Sequence, residues 1–156
     1  MTGDFAKQKP WVDADEMEVL RQFVTNNVRF LIIGGRAVQF HGHKRAAPDL
    51  DLLVERTAAN WPNLQAALRL VNCPVVPFEQ LSPEKKYQRK LNFYPTVEFL
   101  TDISGVAFEE AWPESVETAI NGLSVRVISK AHLIRSKRGS PRHVDLQDIE
   151  ALEAIP

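Results

Sequence analysis

Along the chain, apolar residues alternate between helical spacing and short continuous runs. Over residues 13–26 they recur three and four positions apart, and Asp13 has a Glu three residues later, at the spacing of a capping box. This segment is therefore predicted to be an amphipathic helix. The next run, RFLII at residues 29–33, is continuously apolar after its Arg and is typical of a strand buried on both faces. Gly34 and Gly35 end this strand, and the sequence RAVQFH predicts a short helix after them.

The middle of the chain contains more predicted strands than helices. The sequence DLDLLVE at residues 49–55 predicts a second buried strand, and helical spacing returns over residues 58–71. Four shorter strands are predicted after this helix: KLNFY at 90–94, TVEFLT at 96–101, VETAI at 116–120 and LSVRVI at 123–128. Turn signals stand at Tyr94-Pro95, Ser104-Gly105 and Asn121-Gly122, and the last of these is a strong hairpin signal.

The C-terminal part of the chain is predicted to be helical. Ser129 caps a helix that ends at about Arg138, and a Ser-Pro pair at 140–141 begins a last helix that ends near Ile155. No repeat, linker or low-complexity segment divides the sequence, so residues 1–156 are predicted to form one domain. The element order predicts an α/β fold with a small mixed sheet and helices packed mainly on one face.

The segment SPEKKYQRK at residues 82–90 has two interpretations. Ser82 and Pro83 suit the cap and the first position of a helix, but the segment could equally be a loop. Its second half, KYQRK at residues 86–90, mixes cations with one aromatic residue. Such a cluster could guide an acceptor nucleic acid, although a solvated surface cluster is the simpler interpretation.

Composition and charge narrow the class of protein without identifying it. The 156 residues are 44% hydrophobic and 25% charged, which is typical of a globular protein with a real core. A net charge of −1 provides no broad basic surface, so a bound polyanion would have to be held by a few placed cations. The single cysteine, Cys73, excludes an internal disulfide, and no apolar run approaches the roughly 20 residues of a membrane span. A cytoplasmic protein that does not enter the membrane is expected.

Two carboxylates after the glycine pair indicate possible chemistry. Asp49 and Asp51 are two residues apart on a predicted strand, so both project from the same face with Cβ atoms roughly 6 to 7 Å apart. This spacing suits a shared Mg²⁺, and Gly34 and Gly35 would let the backbone approach a phosphate closely. Either feature alone is usually structural, as a turn or a solvated strand face. Together in an apolar strand, the two carboxylates would repel each other and lose hydration unless a cation or an edge position relieves them.

The sequence IIGGRAVQFHGHKRAAPDLDLLV, residues 32–54, resembles the glycine-pair and D-x-D signature of the polymerase-beta-like nucleotidyltransferase superfamily. It is most similar to the small bacterial branch that contains AbiEii-type toxins and minimal nucleotidyltransferases. The tail from VEFLT to QDIEAL also resembles this branch, so that the resemblance spans roughly residues 28–154. It implies a nucleotidyltransferase-like fold, Mg²⁺ as the metal, and an NTP as co-substrate.

The resemblance also implies roles for residues of the tail. The third carboxylate matches Glu98, where the family more often has Asp, and Asp102 is the alternative ligand on the same strand parity. Lys137 matches a lysine that is expected to reach the nucleotide phosphates and to act through them rather than through the fold. Arg142, Asp145 and Asp148 match the family's R-x-x-D-x-x-D pattern, but Arg142 and Asp145 could simply form an i,i+3 ion pair.

Other residues near the glycine pair have weaker signals. Arg36 could contact phosphate or could lie along the surface with only its head in solvent. His41 and His43 have no carboxylate or cysteine at the spacing of a zinc site and are interpreted as loop residues.

The implied function is transfer of a nucleoside monophosphate from Mg-NTP to an acceptor hydroxyl of RNA, of a protein or of a small molecule. The resemblance to toxins adds a possible role in a toxin–antitoxin pair, with a cognate antitoxin or toxin as partner. The alternative is a catalytically degenerate member that acts as a binding or regulatory partner. In the first case Asp49, Asp51 and Glu98 would be catalytic metal ligands, and Gly34, Gly35, Arg36 and Lys137 would bind the nucleotide.

Overall fold

A computed structural model describes residues 11–139 and 141–156 of the chain. Its strands are β1 (Phe30–Ile33), β2 (Leu50–Val54), β3 (Gln88–Leu91), β4 (Tyr94–Leu100), β5 (Val116–Ile120) and β6 (Leu123–Val127). Its helices are α1 (Ala14–Thr25), α2 (Gly34–Phe40), α3 (Trp61–Leu70), α4 (Phe108–Glu114), α5 (Lys130–Gly139) and α6 (His143–Ala154), with a 3₁₀ turn at Phe78–Gln80. The predicted mixed α/β class is confirmed. No helix in the described part of the chain is both long and apolar enough to cross a membrane.

The six strands form one mixed sheet in the order β3-β4-β2-β1-β6-β5. In the centre, β1 is antiparallel to β2, β2 is parallel to β4, and β1 is parallel to β6. Antiparallel hairpins, β3–β4 and β5–β6, form the two edges. Because β1 and β2 run in opposite directions, the glycine pair after β1 meets the beginning of β2, where the D-x-D residues stand.

The hydrophobic core surrounds the central strands. All four residues of β1 are buried, as are four of the five residues of β2, so both faces of the sheet centre are covered. Trp61, Phe23 and Phe99 are among the largest fully buried side chains. This burial explains the continuous apolar sequence of β1 and the apolar sequence of β2, which only Asp51 interrupts.

Several predicted elements are confirmed because their signals are local. Helix α1 begins after Asp13, whose side chain accepts from the Glu16 N–H while Glu16 accepts from the Asp13 N–H, which completes the capping box. Asn121 and Gly122 both have positive φ, 50° and 81°, in the two-residue turn between β5 and β6. This is the backbone that an Asn-Gly hairpin turn requires. Helix α6 ends at Ala154, close to the predicted Ile155, while the predicted start at Ser140 lies outside the described residues.

The third and fourth strands differ from the prediction. KLNFY is not a strand: the turn falls at residues 92–93, so that β3 ends at Leu91 and β4 begins at Tyr94. The turn predicted at Tyr94-Pro95 is wrong, since Pro95 lies inside β4. Pro95 falls where the β3–β4 register shifts, between the Leu91–Tyr94 and Lys90–Glu98 pairs. No ladder hydrogen bond is lost there when proline supplies no N–H.

Two further differences concern helices. Residues 82–90 form turns followed by β3 rather than a helix, so the loop interpretation of their first half is confirmed. Helix α4 was not predicted, since it has only seven residues and contains Pro113. Within this helix Phe108 stacks on Trp112 at 5.5 Å between ring centroids, and a tertiary contact places Arg29 4.5 Å from the Trp112 ring.

Candidate active site

The glycine pair after β1 is required because Asp51 and Ala47 pack directly against it. Ile33 is the register partner of Asp51, and Gly34 follows with φ +67°, a left-handed conformation that favours glycine. A Cβ atom on Gly34 would overlap the Asp51 carboxylate, and one on Gly35 would lie 2.9 Å from the Ala47 Cβ. The two glycines therefore let the segment that leads into β2 lie directly against the end of β1.

Three carboxylates gather on one face of the sheet at this point. Asp51 on β2 is paired directly with Glu98 on β4, and cross-strand partners project from the same face. Asp49 precedes β2 and has the same parity as Asp51. All three residues are partly exposed. The structure thus places Glu98, from a segment 47 residues away in the sequence, beside the D-x-D pair.

The negative charge at Asp51 is not compensated. Burial is the largest cause that raises the pKa of Asp51, to about 6, and the neighbouring carboxylates Glu98 and Asp49 raise it further. Arg36 and Lys90 oppose this shift only in part. Among the described residues, no donor forms a hydrogen bond with the Asp51 carboxylate that would stabilise its charged form. A bound cation would supply the missing compensation.

The three carboxylates do not converge on one point. Within residues 11–139 and 141–156, no three His, Cys, Asp or Glu side chains come close enough together to hold one metal ion. Instead, the Glu98 carboxylate accepts a hydrogen bond from the Gln88 side chain on β3. The donor set nevertheless has the chemistry that Mg²⁺ prefers, because it consists of carboxylate oxygens that solvent and substrate can reach.

A cleft of about 240 Å³ lies beside the end of β1. Ile33 and Gly34 line it together with residues of α5, of the segment before α6, and of the loops that flank β3 and follow β4. Ile33 belongs to the same cross-strand row as Asp51 and Glu98, so the cleft borders the face that carries the carboxylates. Its polar lining residues are Lys86, Ser104, Ser136, Lys137, Arg142 and Asp145.

Arg36 is placed differently from the sequence expectation. It is buried, and its guanidinium forms a bidentate pair with Glu16, at 3.0 Å and 2.9 Å. The remaining N–H groups donate to the backbone oxygens of Trp11, Ala47 and Pro48, so that five donors have protein partners. These contacts tie α1 to the segment before β2, and they indicate a structural role for Arg36 rather than contact with phosphate.

Lys137 lines the cleft but is already paired. Its side chain is 8% exposed, and its ammonium lies 2.9 Å from Asp145 and 3.0 Å from Asp148. Arg142 also donates to Asp145, at 2.9 Å, and Arg45 donates to Asp148 at 2.7 Å. We name these five residues the α5–α6 charge network. It joins α5 and α6 to the segment that leads into β2.

The carboxylates of this network are held in their charged form. Burial would raise the pKa of Asp148, but hydrogen bonds from Arg45 and Lys137 hold it below its usual value. Burial opposes the same shift at Asp145, where hydrogen bonds from Arg142 and Lys137 hold the pKa well below its usual value. The ion pair expected between Arg142 and Asp145 is therefore present, and Asp148 takes part in a larger network than helix spacing alone predicts.

The remaining candidates lie away from the carboxylates or have protein partners. Asp102 is exposed beyond the end of β4, where it accepts a hydrogen bond from the Thr101 hydroxyl. His41 lies 2.7 Å from the backbone oxygen of Ile128, and His43 lies 3.7 Å from Asp148. Both histidines are thus loop residues, as interpreted from the sequence. Sequence reasoning missed Arg45, for which no local signal exists, and it named Lys86 only as part of a cluster.

Comparison with known proteins identifies the fold. No family model matches the sequence, and no curated protein matches it. Among solved structures, lincomycin-bound LnuA, a lincosamide antibiotic adenylyltransferase, has a TM-score of 0.62 at 17% identity, covering 95% of this chain and 100% of that chain. The solution structure of the antibiotic-resistance factor ANT(2'')-Ia has a TM-score of 0.59 at 15% identity, covering 88% and 80%. ANT(2'')-Ia in complex with adenylyl-2''-tobramycin has a TM-score of 0.55 at 16% identity, covering 89% and 91%. The chain therefore has a nucleotidyltransferase fold.

Proposed function

We propose that this protein is a nucleotidyltransferase that moves a nucleoside monophosphate from an NTP to an acceptor hydroxyl. The observation that carries the proposal is the pairing of Asp51 with Glu98 on adjacent parallel strands, with Asp51 against Gly34, which lines the cleft. The fold supports it, because the similar structures include adenylyltransferases. The excess of negative charge at Asp51 supports it as well, since a site of this kind needs a cation to function.

In this proposal Asp49 and Asp51 hold Mg²⁺, with Glu98 as the third carboxylate. When bound, the metal supplies charge neutralisation at the α-phosphate and lowers the pKa of the acceptor hydroxyl. Gly34 lines the cleft, so phosphates bound there would meet its backbone, while the space beside the Cα atoms of Gly34 and Gly35 is filled by Asp51 and Ala47. Gly35 stays a predicted nucleotide-binding residue. Lys137 stays a predicted phosphate contact. Two of its three N–H donors face Asp145 and Asp148, so the third N–H would make this contact.

We propose an acceptor class from the ligands of the similar solved structures. LnuA was solved with lincomycin, and ANT(2'')-Ia with adenylyl-2''-tobramycin, so a small hydroxylated molecule is the first acceptor to test. The AbiEii branch, and with it an RNA or protein acceptor in a toxin–antitoxin setting, stays a prediction from the sequence resemblance alone.

One experiment tests the reaction and the acceptor class together. Each of the four NTPs, labelled at the α-phosphate, is incubated with the protein, Mg²⁺ and three acceptor pools: hydroxylated antibiotics, total RNA and cell-lysate protein. We expect label transfer and pyrophosphate release from at least one combination, and no transfer in EDTA. Asp49→Asn, Asp51→Asn and Glu98→Gln should each lower the rate about 100-fold or more, because each removes an anionic metal ligand.

Asp102→Asn is the matched control, because Asp102 is an exposed carboxylate that follows the same strand as Glu98. We expect it to keep a rate within a few-fold of the unsubstituted protein. Full activity in folded Asp49→Asn and Asp51→Asn variants would contradict the metal site, and a larger loss in Asp102→Asn than in Glu98→Gln would move it along β4.

A second function is favoured by one observation. The three carboxylates do not converge, and Glu98 is engaged by Gln88. A degenerate member of the fold that acts as a binding or regulatory partner would have such a site. It should release no pyrophosphate with any NTP, and it should copurify with a second chain in a defined ratio.

A further inference from the structure

The balance of charge in the cleft differs between its two sides. On the α5–α6 side, the charge network contains three cations, Arg45, Lys137 and Arg142, and two carboxylates, Asp145 and Asp148. Every cation of this network has a carboxylate partner within 3.0 Å. The two carboxylates therefore offset two of the three positive charges on this side before a ligand binds.

Lys86 supplies positive charge from another part of the chain. It belongs to the segment just before β3, it is exposed, and it lines the same cleft as Gly34 and Arg142. Within residues 11–139 and 141–156, no carboxylate forms an ion pair with Lys86, and its side chain donates no hydrogen bond to the protein. Its ammonium can therefore bind a ligand without breaking an existing contact.

The direction of Lys86 agrees with this placement. Residues 86, 88 and 90 share one parity, and Lys90 is the register partner of Glu98 while the Gln88 side chain donates to the Glu98 carboxylate. Side chains of this parity thus project toward the face that carries the carboxylates. An NTP has several negative charges on its phosphates, and the metal ligands add further negative charge nearby. An unpaired ammonium at the edge of such a site stabilises the bound polyanion.

We propose that Lys86 is a phosphate-binding residue of the nucleotide site and that it contacts the triphosphate directly. The inference rests on the proposed function, since it names the protein group that meets the co-substrate of that reaction. It also assigns a role to the cluster at residues 86–90, of which only Lys86 lines the cleft. Lys137 then serves mainly to order α5 and α6, and Lys86 provides an ammonium that pairs with no described carboxylate.

The test measures equilibrium binding, so it does not depend on finding the acceptor. The protein, Lys86→Ala and Lys86→Arg are titrated with each of the four NTPs and with inorganic tripolyphosphate, all in Mg²⁺. Lys85→Ala is the matched control, because Lys85 is an exposed lysine of the same segment that does not line the cleft. We expect Lys86→Ala to weaken binding of the preferred NTP and of tripolyphosphate about tenfold, the loss of one charge-assisted hydrogen bond. Lys86→Arg should keep most of the affinity, and Lys85→Ala should stay within about twofold.

The possible outcomes separate this inference from the proposed function. Equal affinities of Lys86→Ala and Lys85→Ala, with tight NTP binding by the unsubstituted protein, would overturn the role of Lys86 and leave the proposed function in place. A loss for NTP but not for tripolyphosphate would place Lys86 against the nucleoside and overturn the phosphate contact. Absence of NTP binding by the unsubstituted protein would overturn both. Because Lys86 is exposed, unchanged thermal unfolding of Lys86→Ala is expected and shows that the fold is intact.

Discussion

At the scale of single residues, the charge of Asp51 destabilises the metal-free fold. Its pKa in the folded chain is raised to about 6, above the ordinary value of 3.8, mainly by burial. Folding therefore favours the protonated form, and the penalty for the charged form is fully present above pH 6 and disappears below pH 3.8. A shift of this size corresponds to a penalty of about 3 kcal/mol at most.

We accordingly expect Asp51→Asn to stabilise the protein in EDTA at pH 8 by about 1 to 3 kcal/mol, with little gain at pH 4. Urea unfolding of both proteins at the two pH values measures this difference. Asp102→Asn, which removes an exposed carboxylate, should change the free energy of unfolding by less than about 0.5 kcal/mol at either pH. A gain of equal size at pH 4 and pH 8 would contradict the assignment of the penalty to the Asp51 charge.

Gly34 allows a second prediction at this scale, because the chain contains a glycine with similar φ but open space around it. Gly34 has φ +67° and its missing Cβ would overlap the Asp51 carboxylate, whereas Gly122 has φ +81° and no atom within 4 Å of such a Cβ. Both Ala variants should lose about 1 kcal/mol of stability from backbone strain.

Only Gly34→Ala should also displace the Asp51 carboxylate. We therefore expect it to lower nucleotide transfer at least about tenfold beyond any effect of Gly122→Ala, because a misplaced ligand weakens the metal site. Rates measured at saturating Mg²⁺, with thermal unfolding recorded for both variants, test this. Similar rates in the two variants would show that Asp51 can rotate away from the new methyl group without loss of function.

At the scale of helices and strands, local signals were sufficient for some elements and not for others. The capping box of α1 and the Asn-Gly turn of β5–β6 are complete within a few residues, and both were predicted from the sequence. The β3–β4 hairpin depends on a register shift that lets Pro95 lie inside a strand, which no local pattern indicates. Helix α4 has one helically spaced aromatic pair, Phe108 and Trp112, but its docking depends on the contact of Trp112 with Arg29, which leaves no periodic signal.

The pairing of α5 with α6 changes what is expected of Lys137. The sequence led us to expect a residue that acts through phosphates and hardly affects the fold, but the structure places its ammonium between Asp145 and Asp148 with 8% of the side chain exposed. Removing one partner of a buried ion pair costs about 3 to 5 kcal/mol when the other charge is left uncompensated. Without Lys137, Asp145 and Asp148 keep Arg142 and Arg45 as partners, so only part of this cost is expected. Lys137→Met, which keeps most of the volume, should therefore destabilise the metal-free and nucleotide-free protein by about 2 kcal/mol.

Arg138 provides the control for this prediction, because it also joins α5 to α6. Its pair with Glu153 is 2.7 Å long, but the two side chains are 56% and 50% exposed. Arg138→Met should cost less than about 1 kcal/mol, since exposed ion pairs contribute little. Chemical unfolding without nucleotide compares the two variants. Equal losses would mean that Lys137 contributes to stability no more than a surface residue, and its function would then lie in the cleft.

For the whole molecule, the site depends on contacts between segments that are distant in sequence. The D-x-D pair and the glycine pair are adjacent enough to be recognised from residues 32–54, and Glu98 could be named from the resemblance. Arg45 pairs with Asp148 across 103 positions, and the Arg36–Glu16 pair spans 20 positions. Buried ion pairs of this kind have no sequence pattern, because the residues around a charged side chain in the sequence do not show whether folding will bury it.

These long-range contacts predict that the chain unfolds as one cooperative unit, which would agree with the single domain predicted from the sequence. Its three tryptophans report on different regions: Trp11 stacks on Phe40, Trp61 packs on Tyr87 and Trp112 stacks on Phe108. With 5-fluorotryptophan in place of tryptophan, ¹⁹F spectra follow all three sites in one urea titration, and single Trp→Phe variants assign the signals. We expect the three midpoints to coincide with each other and with the loss of far-ultraviolet circular dichroism. A Trp112 transition at lower urea than that of Trp61 would show that α4 and its neighbours unfold separately from the sheet that carries the three carboxylates.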